Sequence, residues 1–137
     1  MELIYIVDDD QANNFLCKLV LEDCGINPSI VQSFYKVKDV LEALNQATSE
    51  SRKFPDLLLL DINLPGIDGW DFLKEYKNFP QHIRSNTKIF LLSSSIFPED
   101  YERAKSCQEV IDFIPKPLTT ELMQEILDTY FSSKVQL

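Results

Sequence analysis

Leu57-Leu58-Leu59-Leu60-Asp61 is the stretch on which the fold turns. Four consecutive leucines carry neither a helical stripe nor a polar alternation before the acid ends them. A short apolar run of this kind is a strand covered on both faces, as in a parallel sheet sandwiched between helices. The same pattern recurs outward in both directions. Leu3 to Val7 is an apolar run halted by Asp8-Asp9-Asp10, Ile89 to Leu92 runs into Ser93-Ser94-Ser95, and Val110 to Ile114 is followed by Pro115-Lys116-Pro117. Ser29 to Phe34 reads as a weaker strand.

Between these runs the apolar spacing turns helical. Ala12, Phe15, Leu16, Leu19 and Val20 predict a helix with Gly25 as its stop, and Val37, Val40, Leu41 and Leu44 predict another. Leu64-Pro65-Gly66 is turn chemistry, followed by a short helix from about Gly69 to Lys77 that carries Phe72, Leu73 and Tyr76. Pro98 is placed to open a fourth helix, and Leu122, Met123, Ile126, Leu127 and Tyr130 form the face of a last one. Gln46 to Lys53 reads as a loop or a frayed helix end, with Ala47 to Phe54 longer than a simple connection. Strands that alternate with helices in this way specify a doubly wound, five-stranded parallel sheet with helices on both faces.

The chain has 137 residues, the size of one domain, and residues 1–137 are expected to be a single domain with no output domain attached. A net charge of −9 argues against direct nucleic-acid binding, which needs a basic surface. No segment approaches the roughly 20 apolar residues of a membrane span, so no membrane insertion is expected. The opening MELIYIVDDD lacks the basic region of a secretory signal. Cys17, Cys24 and Cys107 are odd in number and lack metal-ligand spacing, which fits reduced thiols in a cytoplasmic protein. His82, in a polar loop, reads as surface, and Trp70 and Phe72 as local packing or surface.

In open parallel sheets, functional groups gather beyond the carboxyl ends of the strands. Those ends carry Asp8, Asp9 and Asp10, then Asp61, then Ser93 to Ser95, then Lys116-Pro117. An acidic run alone is usually a solvated face, and Asp10 fits a helix N-cap. Together, however, the carboxylates crowd one cleft and repel each other unless a cation compensates. A hard divalent ion such as Mg²⁺ takes oxygen ligands and keeps several waters, so two or three carboxylates suffice. An aspartate oxygen beside it is a competent nucleophile for a phosphoryl group, with Lys116 pairing one phosphoryl oxygen and the Ser93 hydroxyl another.

The motifs IVDDD (Ile6 to Asp10), LLLLDINLPGIDG (Leu57 to Gly69), FLLSSS (Phe90 to Ser95) and FIPKPL (Phe113 to Leu118) resemble, in order and spacing, the receiver domain of two-component response regulators. That resemblance implies a flavodoxin-like strand order 2-1-3-4-5. It implies Asp61 as phosphoacceptor, and Asp8, Asp9, Asp61 and the backbone carbonyl of Asn63 around Mg²⁺ or Mn²⁺, Asp8 acting through water. Ser93 takes the switch hydroxyl position, Lys116 the phosphate-pairing position, and Phe113 the aromatic switch position, where it turns inward on phosphorylation. The Lys116-Pro117 bond is expected to be cis. Asn63 and Ser95 are the side chains expected to tune dephosphorylation.

The implied partners are a sensor histidine kinase or histidine phosphotransfer protein, and a downstream protein docking on the face of the fourth helix, fifth strand and last helix. A monomer or a phosphorylation-dependent dimer is expected. The chain departs from the family in Ser93 for the commoner threonine, Ser94 for alanine, and Phe113 for tyrosine, which removes a phenolic hydrogen bond. Two other readings stand beside a signalling switch that is not a metabolic enzyme. A haloacid-dehalogenase-type phosphatase needs an acid two residues after its nucleophile, where this chain has Asn63. A degenerate receiver that binds partners without phosphorylation is opposed by the intact Asp9, Asp61 and Lys116.

Overall fold

A computed structural model describes residues 1–64 and 66–131; Pro65 of the expected turn and residues 132–137 lie outside the described residues. The strands are β1 (Ile4–Val7), β2 (Val31–Phe34), β3 (Leu57–Asp61), β4 (Lys88–Ser93) and β5 (Val110–Pro115). The helices are α1 (Gln11–Asp23), α2 (Val37–Ser49), α3 (Gly69–Tyr76), α4 (Pro98–Ala104) and α5 (Thr120–Tyr130). Single helical turns at Pro28–Ile30 and Gln81–Arg84 stand where the sequence suggested strand and loop. All pairings are parallel, in the order β2-β1-β3-β4-β5.

The uninterrupted apolar runs divide between two cores. Ile4, Ile6, Leu57, Leu59, Phe90 and Leu92 face α1 and α5, while Tyr5, Val7, Leu58, Leu60, Ile89 and Leu91 face α2, α3 and α4. Alternate side chains point to opposite faces of a strand, so only a strand covered on both sides needs every residue apolar.

The register carries this order to the sheet's carboxyl edge. Val7 pairs with Leu60 and Asp61 with Leu92, so Asp8 and Asp61 emerge side by side. Ser93 pairs with Pro115, and the Lys116 amide donates to the Ser93 carbonyl at 3.0 Å.

The first helix presents a different face from the one its apolar spacing suggests. Phe15 and Leu19 are 64% and 42% exposed, while Asn14, Cys17, Val20 and Leu21 are buried. Its phase is set at the N-terminus, where Asp10 caps the amides of Ala12 and Asn13 and the Asn14 side chain donates to the Asp8 carbonyl at 2.6 Å. Gly25 ends the helix at φ +89°; its amide donates to Glu22 and that of Ile26 to Leu21.

The long connection before β3 also resolves. Helix α2 continues to Ser49 with Ala47 buried, so the fraying expected from Gln46 onward does not occur. Phe54 is buried against Phe79, ring centroids 5.2 Å apart, and the Asp56 carboxylate accepts the Glu2 and Leu3 amides. This segment seals the end of the sheet opposite the acidic edge.

Candidate phosphoacceptor site

Asp61 ends β3 with 4% of its surface exposed, and Asp8, just beyond β1, has none. Asp61 Oδ1 accepts the Asn63 amide at 2.9 Å, and Oδ2 pairs with Lys116 Nζ at 3.0 Å. The same ammonium lies 2.9 Å from Asp8 Oδ2. Asp8 is held further by the Asp10 amide on Oδ1 at 2.9 Å and the Asn13 side-chain amide on Oδ2 at 2.5 Å. Asp9 is exposed at the rim, and one oxygen each from Asp8, Asp9 and Asp61 lie within 4.8 Å of one another.

The electrostatics follow from this crowding. Burial raises the pKa of the Asp61 carboxyl above the ordinary aspartate value; the Asp8 charge adds to this, while the Asn63 amide and Lys116 pull the other way. For Lys116, burial favours the neutral amine, but hydrogen bonds and charge from Asp8 and Asp61 outweigh it and raise its pKa. Lys116 therefore stays protonated and serves as the cation between two buried carboxylates. Burial, with Asp8 nearby, pushes the Cys17 thiol up to about 12, leaving no thiolate for chemistry there.

The polar residues expected around Asp61 meet as two groups. Lys116 joins the acids, whereas the Ser93 hydroxyl donates to the Ser95 carbonyl at 2.6 Å and accepts from the Asn63 side chain at 3.3 Å. The Lys116-Pro117 peptide is cis. Phe113 is already buried, at 8% exposure, with the Tyr101 ring edge-on at 4.8 Å. Tyr101, 47% exposed, is the ring that lies above it on the surface.

Sequence reasoning missed Asn13, Asn14, Gly69 and Tyr101. Asn13 and Asn14 hold Asp8, and their signal was a pair of amides interrupting the apolar register of α1's first turn. At Gly69 an added Cβ would lie 2.7 Å from Ile62 Cα and 2.8 Å from the Asp61 carbonyl oxygen, so α3 begins directly on the Asp61 backbone.

The donor set suits a hard cation: carboxylate oxygens converge, and the exposed position of Asp9 leaves room for retained waters. Asp8, Asp9 and Asp61 are the residues that would hold it, and the ion would offset the carboxylate charge and that of an incoming phosphoryl group.

Residues 4–128 match the response regulator receiver domain, and the chain belongs to that family of phosphoacceptor signalling domains. Receiver domains bind Mg²⁺ or Mn²⁺ at an acidic pocket and interact with histidine kinases or phosphotransfer proteins. Among curated proteins, the chain is similar to the cyclic di-GMP phosphodiesterase response regulator RpfG of Xanthomonas campestris pv. campestris. The two are 33% identical over 115 residues, covering 84% of this chain and 28% of that protein. The chain thus spans about a quarter of the length of the curated relatives it matches first.

Among solved structures, a two-component response regulator from Cytophaga hutchinsonii is 27% identical with a TM-score of 0.77, covering 92% of this chain and 93% of that one. The phosphorylated cyanobacterial phytochrome response regulator RcpA is 26% identical with a TM-score of 0.76, covering 96% and 95%.

Proposed function

We propose that residues 1–137 act as one receiver domain in which Asp61 takes a phosphoryl group from a phosphohistidine on a kinase or phosphotransfer protein. An Asp61 carboxylate oxygen bonds to phosphorus, the phosphorus–nitrogen bond breaks, and the leaving imidazole nitrogen takes a proton from solvent. Lys116 supports this reading most directly, because its ammonium already sits 3.0 Å from Asp61 and is poised to pair a phosphoryl oxygen. A divalent ion held by Asp8, Asp9, Asp61 and the Asn63 carbonyl would neutralise charge on the transferred group.

The response begins at Ser93. Its hydroxyl is bound to its own loop through Ser95, and a phosphoryl oxygen on Asp61 offers a charged acceptor in exchange. Drawing Ser93 across moves the loop between β4 and α4, and with it Tyr101 over Phe113. The population shifts only by the difference in contacts the phosphoryl group makes with the two states. The α4, β5 and α5 face then reports to a downstream protein. Asn63, whose amide binds Asp61, and Ser95, whose carbonyl holds the Ser93 hydroxyl, would tune the lifetime of the acyl phosphate.

Incubation with acetyl phosphate and Mg²⁺, followed by intact mass, tests the reading. A phosphoryl adduct that requires the cation and disappears in Asp61→Asn is expected. Continuous turnover of phosphoesters would replace it with a phosphatase, and absence of an adduct from both a small donor and a histidine kinase would leave a phosphorylation-independent binding module.

A further inference from the structure

Strand β5 lies at the edge of the sheet, with one side open. An open edge with free amides recruits another strand, and proteins blunt such edges. Here the Asp112 carboxylate accepts the Phe113 amide at 2.8 Å, and Pro115 has no amide to offer. A register shift between Ile89↔Val110 and Phe90↔Asp112 leaves Ile111 unpaired and further interrupts the ladder.

Beside this blunted edge run two grooves, the first lined mainly by apolar surface and the second by apolar and polar surface alike. One of about 320 Å³ lies between α4 and β5, bordered by Tyr101, Ile111 and Phe113. The other, of about 180 Å³, lies between β5 and α5, bordered by Leu122, Glu125 and Tyr130. Asp112 and Phe113 line both, so the grooves meet across the strand. Tyr101 and Tyr130 are 47% and 37% exposed, aromatic area of the kind that anchors binding partners.

The charge around the grooves is acidic. Lys105, on the rim of the first groove, pairs with Glu102 at 3.0 Å, while Asp112 and Glu125 have no ion-pair partner among the described residues, so acids outnumber bases there.

We infer that this face receives a basic amphipathic helix from the downstream partner, its apolar residues in the two grooves and its lysines or arginines on Asp112 and Glu125. The inference rests on the reading that this face carries the output. A strand finds the Phe113 amide already taken. A second copy, docked by a two-fold axis on the same patch, brings like charges together.

Titration of the isotope-labelled protein with a synthetic leucine–lysine amphipathic helix, before and after acetyl phosphate and Mg²⁺ treatment, tests this. Amide shifts centred on Tyr101, Ile111, Asp112 and Glu125 are expected. Glu125→Lys, and Asp112→Lys where it folds, are expected to weaken binding about tenfold, in the range of a lost charge-assisted contact. Reversal of exposed acids that line neither groove, Glu42→Lys in α2 and Glu75→Lys in α3, is expected to leave it unchanged.

Equal weakening by both sets of reversals, shifts centred elsewhere, or self-association through Asp112 and Glu125 would overturn the inference. If the Asp61 adduct forms and the peptide ignores this face, the partner chemistry fails and the phosphoacceptor stands. If the peptide binds here and no adduct forms, the phosphoacceptor fails and the partner chemistry stands.

Discussion

Gly69 shows how closely single residues are constrained around Asp61. The atoms that would meet an added Cβ, at 2.7 and 2.8 Å, belong to the backbone of Ile62 and Asp61, which cannot rotate away as a side chain could. Gly69→Ala is therefore expected to destabilise by about 1–3 kcal/mol, the usual range for overpacking. It should also slow phosphorylation by shifting the acceptor's own carbonyl; an unchanged urea midpoint would remove the steric argument.

Asp61 carries the opposite expectation. Burial raises its pKa, so the folded state holds the proton more tightly than the unfolded state does. Without a divalent ion, stability then falls as pH rises from the ordinary aspartate range through the raised value, and the ionised carboxylate is a burden at neutral pH. Asp61→Asn should raise the metal-free melting temperature by a few degrees while abolishing the adduct; a lower melting temperature would show that the Lys116 pairing outweighs the burial. The positions of Asp8, Asp61, Ser93 and Lys116 at the sheet's carboxyl edge were legible in the sequence, because each stands at the end of an apolar run that reads as a strand. Asn13 and Asn14 were not, because their roles depend on the rotation of α1, which composition does not reveal.

At the scale of elements, the strands were readable and the helix faces less so. A run such as Leu57 to Leu60 is apolar at every position, so no phase has to be chosen. Helix α1 has apolar residues around much of its circumference, and the capping by Asp10 and the bond from Asn14, not the apolar count, decide that Phe15 faces solvent. The end of α2 was misread for a similar reason. Polar Gln46 to Lys53 suggested fraying, yet the helix closes with the Ser51 amide donating to Thr48 and the Arg52 amide to Ala47. Ser51 reaches this geometry at φ +55°, a position that favours glycine. Ser51→Gly is thus expected to stabilise the protein by about 1 kcal/mol, set by relief of the left-handed backbone. Chemical denaturation reads this directly, and a loss of stability would mean that unfolded-chain entropy outweighs the relief. Helices α3 and α4 are joined at the surface by Arg103 over the Trp70 ring, 4.7 Å to its centre. That contact ties the segment that begins on Asp61 to the helix that carries Tyr101.

For the whole molecule, a cation bound at the acidic edge would couple metal binding to folding. The chain carries a net charge of −9, and the fold gathers Asp8, Asp9 and Asp61 within 4.8 Å, a geometry an unfolded chain does not hold. A ligand that binds only the native state stabilises it by RT ln(1 + [L]/Kd), about 2.7 kcal/mol at a hundredfold excess over Kd. Added Mg²⁺ should raise the melting temperature progressively. General screening of the net charge would also raise it, since self-repulsion falls with ionic strength. The two causes separate in matched ionic strength: KCl acts by screening alone, whereas Mg²⁺ acts by screening and by site binding. The site-specific increment should vanish in Asp9→Ala, whose substitution at an exposed position leaves the core untouched, and shrink in Asp61→Asn. Matching KCl and Mg²⁺ curves in the wild-type protein would mean that the buried carboxylates are satisfied by Lys116 alone, and that no cation joins them.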